Sequence, residues 1–474
     1  LAVTLLFNSY AFIFLFLPLM LVGYFWLLHN RLVLGSKVWL VGGSLVFYGY
    51  WNIIYIPLLL TSIFINFSVG SAMSDAPRGK RRAKLLKTFS SKQLLLFGLF
   101  FNIALLAYFK YTDFFLVNFN GIFGTHVPLS HIILPLGISF FTFTQIAFLV
   151  DAYKHEVKEY DLLRYMLFVT YFPHLLAGPI LHHKEMMPQF SSKWNYALRW
   201  RNIGAGLFLF SIGLFKKVII ADFFADYANY FYADTINLDM LQAWAASLTY
   251  TLQLYFDFSG YTDMAIGVSL LFNIKLPVNF NSPYKATSIQ DFWRRWHMTL
   301  SRFLRDYIYI PLGGSRKGSF RTYVNLMATF VIGGIWHGAG WTYVFWGFLH
   351  GVALVINHAW KSFGFKLPTV FAWFITFNFV NLAWVFFRAP TWEDATNVVI
   401  AMFDISEFNL DDIYDSSVYW QVILGVIMTL VFKNSNQWAK MQKATLKYQL
   451  FTALLLIIGI LYLSKVSEFI YFQF

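Results

Sequence analysis

The tightest constraint on this chain is a succession of apolar runs close to the length of a bilayer crossing. They fall at Tyr10–Leu28, Val38–Tyr50, Ile53–Ser71, Leu94–Tyr108, Leu134–Val150, Leu163–Ile180 and Ile203–Phe223. They continue at Met240–Phe258, Met264–Leu276, Val324–Trp336, Trp341–Trp360, Pro368–Phe387, Val418–Phe432 and Phe451–Leu463. About 20 apolar residues suffice for one helix to cross the hydrocarbon core. Lipid offers the backbone no hydrogen-bond partners, so such runs take helical form. The pattern predicts an all-α polytopic membrane protein with roughly 11 to 14 membrane helices, the shorter ones tilted, re-entrant or interfacial. No polar stretch is long enough to make a soluble domain. We therefore expect 1–474 to form a single integral membrane domain. Its parts are N-terminal spans and a basic loop in 1–92, middle spans in 94–290, a core in 291–361 and C-terminal spans in 362–474.

Charge supports this class. Only 12% of residues are charged and 58% are hydrophobic, against about 25% charged in soluble domains. The net charge of +13 would suggest nucleic acid in a soluble chain. Here lysine and arginine collecting in cytoplasmic loops explain most of it, and no nucleic-acid partner is expected. Arg78, Lys80, Arg81, Arg82, Lys84 and Lys87 crowd one loop, which sets that loop in the cytoplasm and the N-terminus outside. The acidic stretch Asp404–Ser417 is expected on the opposite face. The chain has no cysteine, which excludes disulfides, thiolate catalysis and Cys-ligated metals.

Two segments carry chemistry. In FWRRWHMTLSRFLRDYIYIPLGGSRKG, Phe292–Gly318, a helical reading aligns Trp293, His297, Leu300 and Leu304 on one stripe. Arg294, Arg295, Arg302 and Arg305 surround it. An arginine costs about 3 kcal/mol near the bilayer centre, so this segment is expected at the interface. Such a segment is either an interfacial amphipathic helix with arginines on headgroups, or the mouth of a site for a polyanionic ligand such as coenzyme A, since guanidinium forks suit phosphates. Pro311-Leu-Gly-Gly should end it in a basic turn.

The second segment is GGIWHGAGW, Gly333–Trp341. Gly334 and Gly338 are spaced for close helix packing, which accounts for the glycines but not for His337. An ionisable ring inside an apolar run points to function, and a neutral imidazole there suits a general base.

Other polar positions are weaker. Asp257 and Asp263 flank a Ser-Gly pair read as a helix break, where they would cap helix ends or line a polar tunnel. Lys216 and Lys217 are expected to snorkel to an interface. His350 reads as a core or interface histidine. His174, His182 and His183 lack the spacing of a known metal motif, and no metal is expected.

The His297/His337 pair resembles the signature of the membrane-bound O-acyltransferases. LLFNSYAFIFLFLP, LPLGISFFTFTQ, YFDFSGYTDMAIG, FWRRWHMTLSRFLRDYIYIPLGG, GGIWHG and WVFFRA resemble its bacterial branch, which acts in alginate, peptidoglycan and cellulose O-acetylation and in D-alanyl transfer to teichoic acids. The resemblance implies a ring of helices around a tunnel, with His337 at the family's invariant position and His297 at its second. It implies no bound cofactor, acetyl-CoA as donor substrate, and transfer across a bacterial cytoplasmic (inner) membrane. The acceptor is a polysaccharide, reached with a secreted SGNH-type partner. Within this reading His337 is the base, His297 orients the donor or stabilises the oxyanion, and the four arginines with Trp293 and Trp336 bind substrate. D-alanyl transfer from a carrier-protein thioester is the alternative. A non-catalytic transporter or scaffold would be expected to show an internal repeat, and none is visible.

Overall fold

The computed structural model describes residues 5–73, 89–157, 159, 161–407, 417–441, 445–463 and 469–470. The basic Arg78–Lys87 loop lies outside the described residues, as do 408–416 of the acidic loop. The described residues form helices and turns, with no strand among them.

Among them, Phe12–His29, Ile53–Met73, Ser91–Phe123, Trp200–Ala233 and Thr369–Arg388 are the five helices long and apolar enough to cross a membrane. Val418–Val431 and Ser435–Met441, bent by 46°, make a sixth if taken as one span. Val33–Gly49, Ile138–Tyr153 and Leu446–Leu461 are apolar but shorter. The expected 11 to 14 is therefore not reached by helices of this kind. One reason is that apolar runs merge. Met240–Phe258 and Met264–Leu276 were expected as two spans, yet Met240–Leu271 is one helix of 32 residues. Ser259-Gly260 does not break it. Gly260 instead permits close approach, since a Cβ there would lie 2.8 Å from the Gly213 carbonyl oxygen. The run Leu163–Ile180 does the reverse and stops early: its helix ends at Thr170, and only a short turn follows around Pro173.

The chain forms two compact units. The first comprises Leu1–Phe210, Met264–Pro277 and Ala444–Ala453. Several of its buried polar side chains satisfy one another. Asn66 and Asn102 exchange side-chain hydrogen bonds of 3.2 and 2.6 Å, and Gln145 donates to Ser62 at 2.9 Å. The histidines flagged in the sequence are held by local partners here: His183 by Glu159 at 3.2 Å and His174 by the Phe168 carbonyl at 2.9 Å. Burial pushes the Glu159 carboxyl up, but hydrogen bonds from His183 and the Asp161 amide outweigh it and hold the group below its usual range.

The second unit comprises Ser211–Asp263, Val278–Lys443 and Leu454–Phe474, and holds both flagged histidines. Its centre is the helix pair Gly318–His337 and Trp341–Ser362. Gly334 and Gly347 let these helices touch: a Cβ on Gly334 would sit 2.3 Å from the Tyr343 carbonyl oxygen and 3.1 Å from the Gly347 Cα.

Lys216 and Lys217 correct a further expectation. Neither snorkels. Both are buried, Lys216 at 2.7 Å from Asp263 and Lys217 at 2.6 Å from Asp257 and 3.0 Å from Asp222. Asp257 and Asp263 accordingly sit inside a helix rather than at its ends. A charge away from water is tolerable when an opposite charge meets it, and Ser435 adds a 2.5 Å hydrogen bond to Asp263.

Candidate active site

The Phe292–Gly318 segment is not one helix. Ser288 caps a short helix, Ile289–Trp293, by accepting from the Asp291 amide at 3.1 Å. The chain then turns, His297 takes a left-handed conformation with φ 41°, and a second helix runs Met298–Leu304. A π-helical turn, Arg305–Tyr309, follows. The cause of the break is Asn279. Its backbone carbonyl accepts from the Met298 amide at 2.9 Å. Its side-chain oxygen accepts from the Thr299 amide, the Thr299 hydroxyl and His297 Nδ1 at 3.2, 3.0 and 3.0 Å. The expected stripe is thus split between elements, although Trp293, His297, Leu300 and Leu304 are all buried. The last hydrogen bond fixes the tautomer of neutral His297: Nδ1 carries the proton and Nε2 is the basic nitrogen. Phe258 packs edge-on against the ring at 4.8 Å.

His337 closes its helix, which ends where Gly338 turns extended. The ring is 4% exposed and is enclosed edge-on by Trp336, Trp346 and Phe387 at 4.9, 5.1 and 5.2 Å. Gly338 provides for this packing, since a Cβ there would lie 2.2 Å from the Tyr343 ring.

A cavity of about 810 Å³ opens beside these elements. Arg294, Arg302, Arg305 and Lys361 line it with Gln290, Ser301, Tyr309, Asn357 and His358, and Trp293 and Phe330 form an aromatic wall. The volume lies in the range of small-molecule sites, and among the described residues its lining includes no carboxylate. Three of the four flagged arginines meet here. Arg295 does not; its Nε donates to both Asp291 oxygens, at 2.9 and 3.0 Å. Arg305 also donates to its neighbour Asp306 at 2.7 and 3.1 Å, and that bond raises its pKa further.

Of the other flagged residues, Trp293 lines the cavity, whereas His297, His337, Trp336, Asp257 and Asp263 do not. The aromatic wall links the cavity to His337. Trp293 Nε1 donates to His350 Nδ1 at 3.3 Å, the His350 ring lies 4.7 Å from Trp346, and Trp346 lies 5.1 Å from His337. The sequence reading missed Asn279, Lys361 and the tie from Trp293 to His350. Lys361 carried a readable signal: Asn357, His358 and Lys361 put polar groups at i, i+1 and i+4 on the last turns of an apolar helix.

Comparison with known proteins gives this site its context. The family model described as MBOAT, membrane-bound O-acyltransferase family, matches residues 44–389. The chain is 47% identical to a peptidoglycan O-acetyltransferase of Helicobacter pylori, over 99% of this chain and 98% of that one. It is 38% identical to a probable alginate O-acetylase AlgI of Azotobacter vinelandii, over 86% of this chain and 80% of that one. A teichoic acid D-alanyltransferase of Bacillus subtilis is 30% identical over 55% of this chain and 70% of its own length. A helical chain with several candidate spans, both histidines and the basic cavity all inside the matched region therefore belongs to the membrane-bound O-acyltransferase family.

Proposed function

We propose that this acyltransferase moves an acetyl group from acetyl-CoA to a cell-wall polysaccharide, peptidoglycan being the first acceptor to test. Delivery is either direct or through an extracytoplasmic SGNH-type partner. The observation that carries the reading is the cavity with Arg294, Arg302, Arg305 and Lys361 on its lining and no carboxylate among the described lining residues, a match for a polyanionic donor. The full-length likeness to a peptidoglycan O-acetyltransferase supports acetyl over D-alanyl as the group transferred.

In this reading the thioester passes the Trp293 wall towards His337. His337 takes the proton from the acceptor hydroxyl as its oxygen attacks the carbonyl carbon. The carbon–oxygen bond forms, the carbon–sulfur bond breaks, and the proton ends on the departing thiolate. A transient acyl-histidine is the variant of the same chemistry. His297, held at Nδ1 by Asn279, orients the incoming group.

The test is transfer from radiolabelled acetyl-CoA by the purified protein in proteoliposomes, with peptidoglycan fragments present, with and without the secreted partner. Label in the polysaccharide or on the partner is expected. Use of a D-alanyl carrier thioester with no use of acetyl-CoA would replace this reading with the teichoic-acid one.

A further inference from the structure

The cavity's positive charge comes from two walls, each built from different elements. Ser301, Arg302, Arg305 and Tyr309 form one, along the segment that starts at Met298. The other combines two elements: Lys361, on the last turn of Trp341–Ser362, donates to Gln290 Oε1 at 2.5 Å, and Arg294 follows Gln290 by four residues. The two walls differ in character. Arg305 shares its charge with Asp306, whereas the hydrogen-bond partner of Lys361 is a neutral amide. Lys361 is also exposed.

This division distinguishes two classes of thioester. A phosphopantetheinyl group on a carrier protein has one phosphodiester, for which one basic wall suffices. Coenzyme A has a diphosphate and, beyond the ribose, a 3′-phosphate monoester. The arginine forks of the first wall suit the diphosphate through paired hydrogen bonds. A lysine acts as a compact point charge, which suits a terminal phosphate near solvent. Resting on the acetyl-CoA reading above, we propose that Lys361, together with Arg294 of the same lining, forms a second anion subsite for the ribose 3′-phosphate. This wall selects a nucleotide-bearing thioester over a carrier-protein thioester.

The test is equilibrium binding to the purified full chain in nanodiscs, using CoA, 3′-dephospho-CoA and 4′-phosphopantetheine. A charge-assisted contact contributes about 1.5–3 kcal/mol, so CoA should bind at least about tenfold more tightly than 3′-dephospho-CoA. Lys361→Gln should erase that difference by weakening CoA alone, and Lys361→Arg should preserve it. Equal weakening of CoA and 3′-dephospho-CoA by Lys361→Gln, or no weakening, would overturn the subsite while leaving acetyl-CoA as donor. Binding of 4′-phosphopantetheine by the wild-type protein as tight as that of CoA would overturn the acetyl-CoA reading itself.

Discussion

Asn279 does the work of several residues, because one side-chain oxygen collects His297 and Thr299 and so decides where a helix restarts. The two flagged histidines were legible in the sequence because an ionisable ring in an apolar run is costly. Asn279 was not, since it lies 18 residues from its partner and polar loop residues are common. His337→Ala should lower acyl transfer by about 10²–10⁴, the usual cost of losing a general base, with thermal unfolding near that of wild type. Turnover close to wild type would remove His337 from the chemistry. The tie between Trp293 and His350 makes a finer prediction. His350→Asn keeps an acceptor near the position of Nδ1, whereas His350→Leu removes it. The leucine variant should raise the KM for acetyl-CoA, the asparagine variant should restore much of it, and Trp293→Phe should add nothing to His350→Leu. Full additivity of those two would mean that the hydrogen bond does not position the wall. The Lys217 cluster is a matter of stability. Asp257→Asn leaves the buried lysine with one carboxylate, Asp222, in place of two, and breaking a buried pair costs about 3–5 kcal/mol. A variant of unchanged thermal stability would show that the pair contributes nothing. This pairing was invisible in the sequence because the partners lie 40 and 47 residues apart, and a lysine pair in an apolar run has the same local look whether it snorkels or is buried.

At the level of elements, apolar periodicity located the helices well and their ends poorly. Gly318–His337 and Trp341–Ser362 extend the expected Val324–Trp336 and Trp341–Trp360 by a few residues. The failures came where tertiary partners overrode local signals. Ser259-Gly260 looked like a break but serves helix contact with Gly213, and Arg294–Trp296 looked helical but turns, so that Asn279 can engage His297 and Thr299. The glycine spacing around His337 had two readings, and packing explains much of it: Gly334 meets the backbone at Tyr343 and Gly347. Gly334→Ala therefore has nowhere to put a methyl group without parting the helix pair that carries His337 and Lys361. Overpacking of this kind typically costs about 1–3 kcal/mol, so the variant should unfold at lower temperature and lose activity along with stability. An alanine variant as stable as wild type would show that the two helices can separate without penalty.

For the molecule as a whole, the proposed function turns on which side of the membrane the basic cavity faces, because acetyl-CoA is cytoplasmic and a cell-wall polysaccharide is not. Class and family were legible from hydropathy and from His297 with His337. The count of spans was less legible: among the described residues five helices, or six with the bent pair, have the length and hydropathy of a crossing, and three apolar helices are shorter. Topology follows from charge. Arg294, Arg295, Arg302, Arg305, Arg316 and Lys317 lie within one stretch of chain, and such clusters stay in the cytoplasm. Ser315 sits in the turn of that stretch and is exposed. Because the chain has no cysteine, Ser315→Cys introduces a unique thiol against no background. It should resist an impermeant maleimide applied to intact cells and label fully once the membrane is opened. Acetyl-CoA added before labelling should slow the reaction if it binds the basic cavity as proposed, since Tyr309, Arg302 and Arg305 of that cavity precede this turn in the same stretch of chain. Labelling of Ser315→Cys from outside in intact cells would put the basic cavity on the acceptor side. A cytoplasmic thioester could not then reach it, and the direction of transfer proposed here would fall.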